Sequence, residues 1–203
     1  MIIAIEGIDG AGKNTLTRAI RERVDADMLA FPRYETSVPA QLVQEALHGR
    51  MGDLTDSAYA MATLFALDRH GAREQLAPYV DSDRIILLDR YVASNAAYSV
   101  ARLRDATVAD WVHDLEFGRL GLPQPDLQVL LATEPETASQ RAAQREAQDA
   151  SRERDRYERD ADLQQRTYDA YLGLAERSWA GRWLVTTSAD VVLQEIAHIT
   201  QGL

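Results

Sequence analysis

The 203-residue sequence predicts an α/β protein of three layers, in which one five-stranded parallel sheet lies between two layers of helices. Short apolar runs of buried-strand type alternate with longer stretches of helical periodicity, and this order is typical of parallel sheets covered on both faces. The first apolar run leads into a glycine-rich loop and then a helix. No repeat or low-complexity linker divides the chain, so we expect one domain over residues 1–203. The five predicted strands are residues 1–5, 28–31, 84–89, 127–132 and 182–186.

The glycine-rich loop at residues 7–13 carries the strongest chemical signal. It reads Gly-Ile-Asp-Gly-Ala-Gly-Lys, a spacing that wraps backbone amides around a phosphate. Lys13 is the single lysine among 22 cationic side chains, and the helical spacing of Leu16, Ala19 and Ile20 follows it. The alternative is an ordinary glycine turn between a strand and a helix. The sequence favours a phosphate site at a helix N-terminus.

One position departs from the usual loop pattern. The residue after the lysine is normally Ser or Thr, whose hydroxyl binds magnesium, but here it is Asn14. Either Thr15 supplies a hydroxyl from the next position, or the metal is held largely by carboxylates, phosphates and water.

Composition limits the function classes. The absence of cysteine excludes thiol chemistry and disulfides, and together with a first strand that begins at Met1 it predicts a cytoplasmic protein. No uncharged run reaches the roughly 20 residues of a membrane span. The net charge of −10 argues against a nucleic-acid polymer as partner, since phosphodiester-binding faces carry a basic excess. A small anion in a local arginine pocket remains compatible.

Polar side chains follow the third predicted strand. Asp89 and Arg90 come directly after an apolar run, and ligands of open α/β sheets bind beyond the carboxyl ends of the strands. We therefore expect both residues near Lys13, although Asp89 is also a good helix N-cap. Asn95 and Tyr98 follow at helical spacing, so they lie on one face of the next predicted helix. An amide and a phenol there suit contacts with a nucleoside, or else the side chains pack at the edge of the core.

Phe65 and Arg69 lie one helical turn apart, so a ring that stacks on a base and a guanidinium that bonds its edge can contact the same ligand. Considered alone, the ring suits the core and the guanidinium suits the surface. The pair is informative only with the other motifs.

These motifs, taken together, resemble the bacterial thymidylate kinases of the nucleoside monophosphate kinase group over nearly the whole chain. The resemblance rests on the glycine loop and on five further segments, namely residues 31–34, 64–69, 89–98, 121–126 and 156–158. It implies a P-loop kinase fold of three α/β/α layers with a five-stranded parallel sheet and a small mobile lid at about residues 141–158. It also implies a cis peptide before Pro32 and a homodimer formed through helices.

The resemblance implies the reaction ATP + dTMP → ADP + dTDP, with Mg²⁺ bridging phosphates and no general base. The ATP-binding residues would be Gly7, Ile8, Asp9, Gly10, Ala11, Gly12, Lys13, Asn14 and Thr15. The residues around dTMP would be Asp9, Tyr34, Phe65, Arg69, Arg90, Asn95, Tyr98, Tyr157 and Glu158, with Phe65 stacked on thymine and Arg69 bonded to its carbonyl. The candidate metal ligands are Asp9, Asp89 and Glu158.

The lid is expected to supply a catalytic arginine. Family members carry this residue either in the phosphate loop or in the lid, and the loop here offers only neutral residues, Gly10 and Asn14. The catalytic set implied by the resemblance is therefore Asp9, Lys13 and Arg90 with a lid arginine from Arg145, Arg152 and Arg156. Alternating charges in this stretch otherwise indicate a solvated helix face.

Two other functions stay open. One is a kinase for another pyrimidine nucleoside monophosphate, and the other is a regulatory P-loop ATPase. A guanine-nucleotide switch is excluded because its Asn-Lys-x-Asp element needs a second lysine. The four histidines show no metal-ligand spacing.

Overall fold

A computed structural model describes residues 1–148 and 155–201 of the chain. It confirms the α/β class, with a single parallel sheet of five strands. The strands are β1 (Ile2–Glu6), β2 (Ala26–Ala30), β3 (Ile85–Asp89), β4 (Leu127–Leu130) and β5 (Trp183–Val185). The α-helices of the described residues are α1 (Lys13–Arg21), α2 (Val38–Leu47), α3 (Ala58–His70), α4 (Arg73–Leu76), α5 (Val92–Leu103), α6 (Val108–His113), α7 (Pro135–Gln148), α8 (Arg156–Arg159), α9 (Ala161–Glu176) and α10 (Ala189–Gln201).

The strand order is β2-β3-β1-β4-β5, so β1 lies at the centre of the sheet. Ile3 pairs with Leu87 on one side and with Leu127 on the other. All five residues of β1 are buried and four of them are apolar, which agrees with a strand covered on both faces. The chain passes from β1 to β2 on one side and later crosses to β4 on the other. The loop after β1 therefore opens into the crevice where α/β proteins bind ligands.

The second strand begins two residues earlier than the sequence predicts. Ala26 and Asp27 pair with Ile85 and Ile86, although an aspartate is unusual in a strand. β2 is an edge strand with mostly exposed side chains, so Asp27 reaches outward and accepts a hydrogen bond from Tyr79 at 2.5 Å. Apolarity alone underestimates the length of such an edge strand.

Helix starts follow ordinary capping chemistry. Ser37 and Ser57 accept hydrogen bonds from the backbone N–H groups of Ala40 and Ala60, at 3.5 and 3.1 Å. Asp160 caps α9 in the same way through the N–H of Leu163. These caps satisfy backbone N–H groups in the first turns of α2, α3 and α9.

The main hydrophobic core surrounds the sheet, and a smaller apolar cluster lies beside it. The smaller cluster joins α2, α3 and α5 to the segment that follows the undescribed residues 149–154, through Val43, Met61, Ala101, Tyr157 and Leu163. Burial in this cluster positions Tyr157 beside the carboxyl end of the sheet.

One element has no counterpart in the sequence-based prediction. Residues Asp114–Arg119, directly after α6, form a π-helical segment. Such segments are rare and often occur at functional sites. Within the described residues, no helix is both long and apolar enough to span a membrane.

Candidate active site

The loop between β1 and α1 forms a compact nest around the ammonium of Lys13. Gly7, Gly10 and Gly12 adopt positive φ angles of 145°, 83° and 103°, which glycine tolerates without steric cost. A Cβ at Gly10 would lie 2.1 Å from the carbonyl oxygen of Ala138, so this position also requires a residue without a side chain. The first turn of α1 contains no acidic residue, so its positive dipole end stays available to an anion.

Lys13 is buried in this loop, with 8% of its surface exposed. Its Nζ donates hydrogen bonds to the carbonyl oxygens of Gly7 and Ile8, at 3.3 and 3.2 Å. Burial, followed by the charge of Arg90, lowers the pKa of Lys13 to about 8, although Asp9 opposes this change. The nearby negative charge therefore does not offset the effects of burial and of Arg90 on the ammonium, and a bound anion would stabilise its charge.

Arg90 and Asp9 form the centre of the site. Arg90 has a φ of 67°, a left-handed conformation that turns its side chain back toward the loop, where Nη2 donates to Asp9 Oδ1 at 2.5 Å. The hydroxyl of Tyr98 donates to the other Asp9 oxygen at 2.8 Å. Burial would raise the pKa of Asp9, but the charges of Arg90 and Lys13 and these hydrogen bonds lower it to about 2. Asp9 is ionised across the physiological pH range.

A buried carboxylate that sequence reasoning missed supports Arg90 from the other side. Glu6 is fully buried and accepts hydrogen bonds from Tyr91 N, Ser94 Oγ and Tyr171 Oη, at 2.9, 2.6 and 2.9 Å. Burial raises the pKa of Glu6, and the bond from Ser94 and the charge of Arg90 partly offset the increase. Arg90 Nη1 in turn donates to Ser94 at 3.2 Å. The guanidinium is thus bonded directly to Asp9 and linked through Ser94 to Glu6, and it lines both cavities of the crevice.

A cavity of about 200 Å³ opens beside Asp9 and Arg90. It brings together all nine residues that the sequence analysis assigned to the nucleoside monophosphate. They are Asp9, Tyr34, Phe65, Arg69, Arg90, Asn95, Tyr98, Tyr157 and Glu158. Tyr98 and Tyr157 stack with ring centroids 5.9 Å apart, and burial raises the pKa of Tyr157 to about 12. The peptide bond between Phe31 and Pro32, which also line this cavity, is cis, as expected.

Arg69, which lines this cavity, forms a buried ion pair behind the cavity wall. Arg69 donates from Nε and Nη2 to the two carboxylate oxygens of Glu116, at 2.5 and 2.8 Å. Burial acts to lower the pKa of Arg69, but the charge of Glu116 outweighs it and the pKa is raised. Asn95 donates to the same carboxylate. Sequence reasoning missed Glu116, because nothing in its local pattern distinguishes it from a surface acid.

A second, open cavity lies over the phosphate loop and meets the first at Asp9 and Arg90. It is lined by Gly10, Gly12, Lys13, Asn14 and Thr15, and by Asp89 from the end of β3. Arg141 of α7, which the sequence analysis did not select, also lines it. Ala11 lines the adjoining groove between the loop and β4. The two cavities place a phosphate-binding nest and a ring-lined pocket on opposite sides of the Asp9–Arg90 pair.

The proposed metal ligands do not share one cavity. Asp89 and Asp9 line the cavity over the loop, whereas Glu158 lines the ring-lined cavity with Asp9. Asp89 Oδ1 is buried and has no hydrogen-bond partner within the described residues, which fits an oxygen kept for a cation or its water. Nowhere in residues 1–148 and 155–201 do three or more acidic, histidine or cysteine side chains form a group able to hold a metal ion. This donor set fits Mg²⁺, which commonly takes one or two carboxylates and completes its octahedron with phosphates and water.

Of the three lid arginines that the sequence analysis named, only Arg156 has a described side chain. It forms an ion pair with Asp56 at 3.0 Å and lines a surface depression beside Leu47, away from the phosphate loop. The Arg152 assignment and the side chain of Arg145 lie outside the described residues. The structure therefore does not bring Arg156 to the loop.

The fold and the two joined cavities are those of a P-loop kinase, a class that transfers a phosphoryl group from a nucleotide on the loop to an acceptor bound beside it. Residues 5–196 match the family model described as "Thymidylate kinase". The thymidylate kinase of Mycobacterium tuberculosis strain H37Rv is 54% identical over 199 residues, covering 94% of this chain and 92% of the relative. A probable thymidylate kinase of Archaeoglobus fulgidus is 35% identical over 152 residues, covering 71% of this chain and 70% of that one.

Among solved structures, a thymidylate kinase from Candida albicans superposes with a TM-score of 0.71 at 22% sequence identity, covering 99% of this chain and 91% of that one. This likeness bears on the fold. The family model and the sequence relatives together show that the chain belongs to the thymidylate kinase family.

Proposed function

We propose that this protein transfers the γ-phosphoryl group of ATP to dTMP, producing dTDP and ADP for dTTP synthesis. The observation that carries the proposal is that the two cavities meet at Asp9 and Arg90. A nucleotide on the loop and a nucleotide in the ring-lined cavity then approach each other phosphate to phosphate.

In this proposal, the loop amides and Lys13 bind the β- and γ-phosphates of ATP, and Arg90 binds the phosphate of dTMP. Asp9 holds the guanidinium of Arg90 in place and, together with Asp89, faces the phosphates. Mg²⁺, when bound by the phosphates and these carboxylates, supplies charge neutralisation on the transferring group. Glu158, which lies on the dTMP side, closes over the nucleotide with Tyr157 rather than sharing a cavity with Asp89.

The dTMP phosphate oxygen is already anionic, so no base needs to remove a proton from it. Catalysis then depends on alignment and on positive charge around the transferring group. Phe65 stacks on thymine, Arg69 bonds its carbonyl, and Asn95 and Tyr98 complete the pocket for base and sugar. Tyr34 lies beside the acceptor phosphate, and its pKa, raised by burial, keeps the phenol protonated as a donor.

We further propose that residues 1–203 form one domain in which about residues 141–158 act as a lid. The lid brings one of Arg145, Arg152 and Arg156 to the phosphates when ATP is bound. An arginine in that role is worth about 10³ to 10⁵ in rate. Arg141, near Gly12, is already on the loop side in this structure.

A cytoplasmic homodimer completes the proposal. The supporting observation for the dimer is apolar exposure on α3, where Tyr59 and Leu67 are 47% and 40% exposed. Light scattering should give about twice the chain mass of 22.7 kDa. A mass of one chain at working concentration would reject the dimer and leave the kinase proposal intact.

The experiment that tests the function is an assay of ADP release with Mg-ATP and a panel of nucleoside monophosphates. We expect the highest kcat/KM with dTMP. A higher value with another pyrimidine nucleotide would favour the alternative pyrimidine kinase, and ATP hydrolysis unaffected by every acceptor would favour a regulatory ATPase. A crystal soaked with dTMP should show the pyrimidine ring against Phe65, and a ring bound elsewhere would refute the assigned pocket.

A further inference from the structure

Glu116 lies directly behind two residues that line the cavity, Arg69 and Asn95, although it does not line the cavity itself. Its carboxylate is fully buried on the π-helical segment Asp114–Arg119. It accepts three hydrogen bonds, two from Arg69 and one from Asn95. Both donors line the cavity, so one carboxylate orients two residues that face the ligand.

The side-chain amide of Asn95 has only one allowed orientation. Its Nδ2 donates to Ala62 O at 2.9 Å and to Glu116 Oε1 at 2.7 Å. A carbonyl oxygen and a carboxylate oxygen only accept hydrogen bonds, so turning the amide over would set oxygen against oxygen twice. Both N–H donors are therefore used, and Oδ1 is the atom of this amide left to bond a ligand.

The guanidinium of Arg69 is fixed by the same carboxylate. The parallel hydrogen bonds from Nε and Nη2 to Glu116 fix the plane of the guanidinium. Nη1 carries no hydrogen bond within the part of the chain that the structure describes. This nitrogen can only donate.

From this geometry we propose that Glu116 determines base selectivity: it orients Arg69 as the donor and Asn95 as the acceptor, and so commits the cavity to 4-oxo pyrimidines. This inference rests on the proposed function, in which the base lies between Phe65 and these two residues. Thymine and uracil present an acceptor at O4 and a donor at N3–H, which match this pair. Glu116 is a positioning residue, since it acts on the base through its two partners.

A 4-amino pyrimidine meets the opposite arrangement. The amino group at C4 points its hydrogens at a guanidinium, and the bare N3 faces the carbonyl oxygen of Asn95. Both contacts then pair like with like in a buried site, and binding sites built to bond a specific edge reject the wrong one by about 10⁴. The rejection lasts only while the amide and the guanidinium cannot reorient.

Glu116→Gln removes this constraint with little change in shape. The new amide presents a donor as well as an acceptor, so one of the two acceptors that oppose the reversed Asn95 amide is lost and only the carbonyl oxygen of Ala62 still opposes it. The reversed amide, which turns Nδ2 to the base, then becomes more accessible. Glu116→Asp retains a carboxylate that only accepts, at the cost of one methylene. The two variants separate the acceptor chemistry of Glu116 from its packing.

The experiment measures kcat and KM for dTMP and for 5-methyl-dCMP, two acceptors that differ only at positions 3 and 4 of the base. For Glu116→Gln we expect a rise of at least about tenfold in KM for dTMP, little change in kcat, and a drop of at least about tenfold in the dTMP preference. For Glu116→Asp we expect the preference to stay within about threefold of wild type, even where stability falls.

Asp68→Asn serves as a matched control. Asp68, which lies on α3, is a buried carboxylate like Glu116, but its partner Arg33 does not line the cavity. This variant should lose stability while the preference ratio stays within about threefold of wild type. An unchanged ratio in Glu116→Gln, with both substrates affected equally, would overturn the proposal and assign Glu116 a purely structural role.

A second measurement keeps the test independent of whether Glu116→Gln folds. In ¹⁵N spectra of the wild-type protein, the Nδ2 protons of Asn95 should exchange slowly with solvent both before and after dTMP binds, because both protons are bonded within the protein. Fast exchange in the free protein would show that these two bonds are not maintained and would overturn the assignment. Failure of the wild-type protein to phosphorylate dTMP at all would instead refute the proposed function.

Discussion

The proton on Lys13 offers a direct test of how the phosphate loop works. The pKa of this ammonium is lowered from 10.5 to about 8 by burial and by the charge of Arg90. That difference corresponds to about 3 kcal/mol that favours the neutral amine in the free protein. Since the folded pKa lies below the unfolded one, Lys13 opposes folding at neutral pH, and the cost disappears as the pH rises from about 8 to 10.5.

ATP should reverse this shift. Its β- and γ-phosphates bring negative charge to the ammonium, which raises the pKa of Lys13 back toward its ordinary value. At pH 8.5, where ATP is fully ionised, a group of pKa about 8 is roughly three-quarters neutral. Binding should therefore take up about 0.7 proton per ATP at pH 8.5, and about 0.1 proton from Lys13 at pH 7.

Isothermal titration calorimetry in buffers of different ionisation enthalpy measures this uptake. The control is Lys13→Arg, whose guanidinium stays charged and has no proton to gain. We expect no uptake in the variant, together with loss of most turnover, because a rigid planar fork does not fit a nest built around a compact ammonium. Zero uptake by the wild type at pH 8.5 would refute the lowered pKa. Wild-type turnover in Lys13→Arg would refute the requirement for lysine.

Two further predictions concern the lid and the loop. The lid prediction concerns alanine substitutions at Arg145, Arg152 and Arg156. At one or more of these positions, the substitution should reduce turnover at least about tenfold in steady-state kinetics while changing the melting temperature little in calorimetry. Unchanged turnover in all three variants would refute a lid arginine. Gly10→Ala should destabilise the protein by at least about 2 kcal/mol in urea titration, because the new Cβ meets a backbone carbonyl at 2.1 Å. Gly49→Ala, with a similar φ of 75° and no atom within 4 Å of the added Cβ, should cost only about 1 kcal/mol, so equal losses would contradict the steric argument.

The fold was predictable because its signals are local. Short apolar strands, the glycine loop and helical periodicity each lie within a few consecutive residues, and a parallel α/β arrangement is the usual way to bury them all. The prediction that Asp89 and Arg90 lie near Lys13 rested on the rule that parallel strands end at the same edge of a sheet. Both residues line the cavity over the loop.

The supports of the site were not predictable in this way. Glu6 contacts Tyr171 across 165 positions of sequence, and Glu116 contacts Arg69 across 47. An acidic residue in an isolated sequence reads as a surface charge, since most acids are exposed. Only the packing of α9 and of the π-helical segment reveals that these two are buried.

The sequence by itself determined the class of protein and the chemistry of the crevice, because a glycine loop before a helix and a polar cluster after a strand have few structural alternatives. The tertiary structure decided which atoms point at the ligand. Whether Asn95 donates or accepts, and which face of Arg90 is free, depends on buried carboxylates supplied by distant elements. These contacts form only after the chain has packed, and hydrogen-bond direction then follows from the need to satisfy each buried polar group.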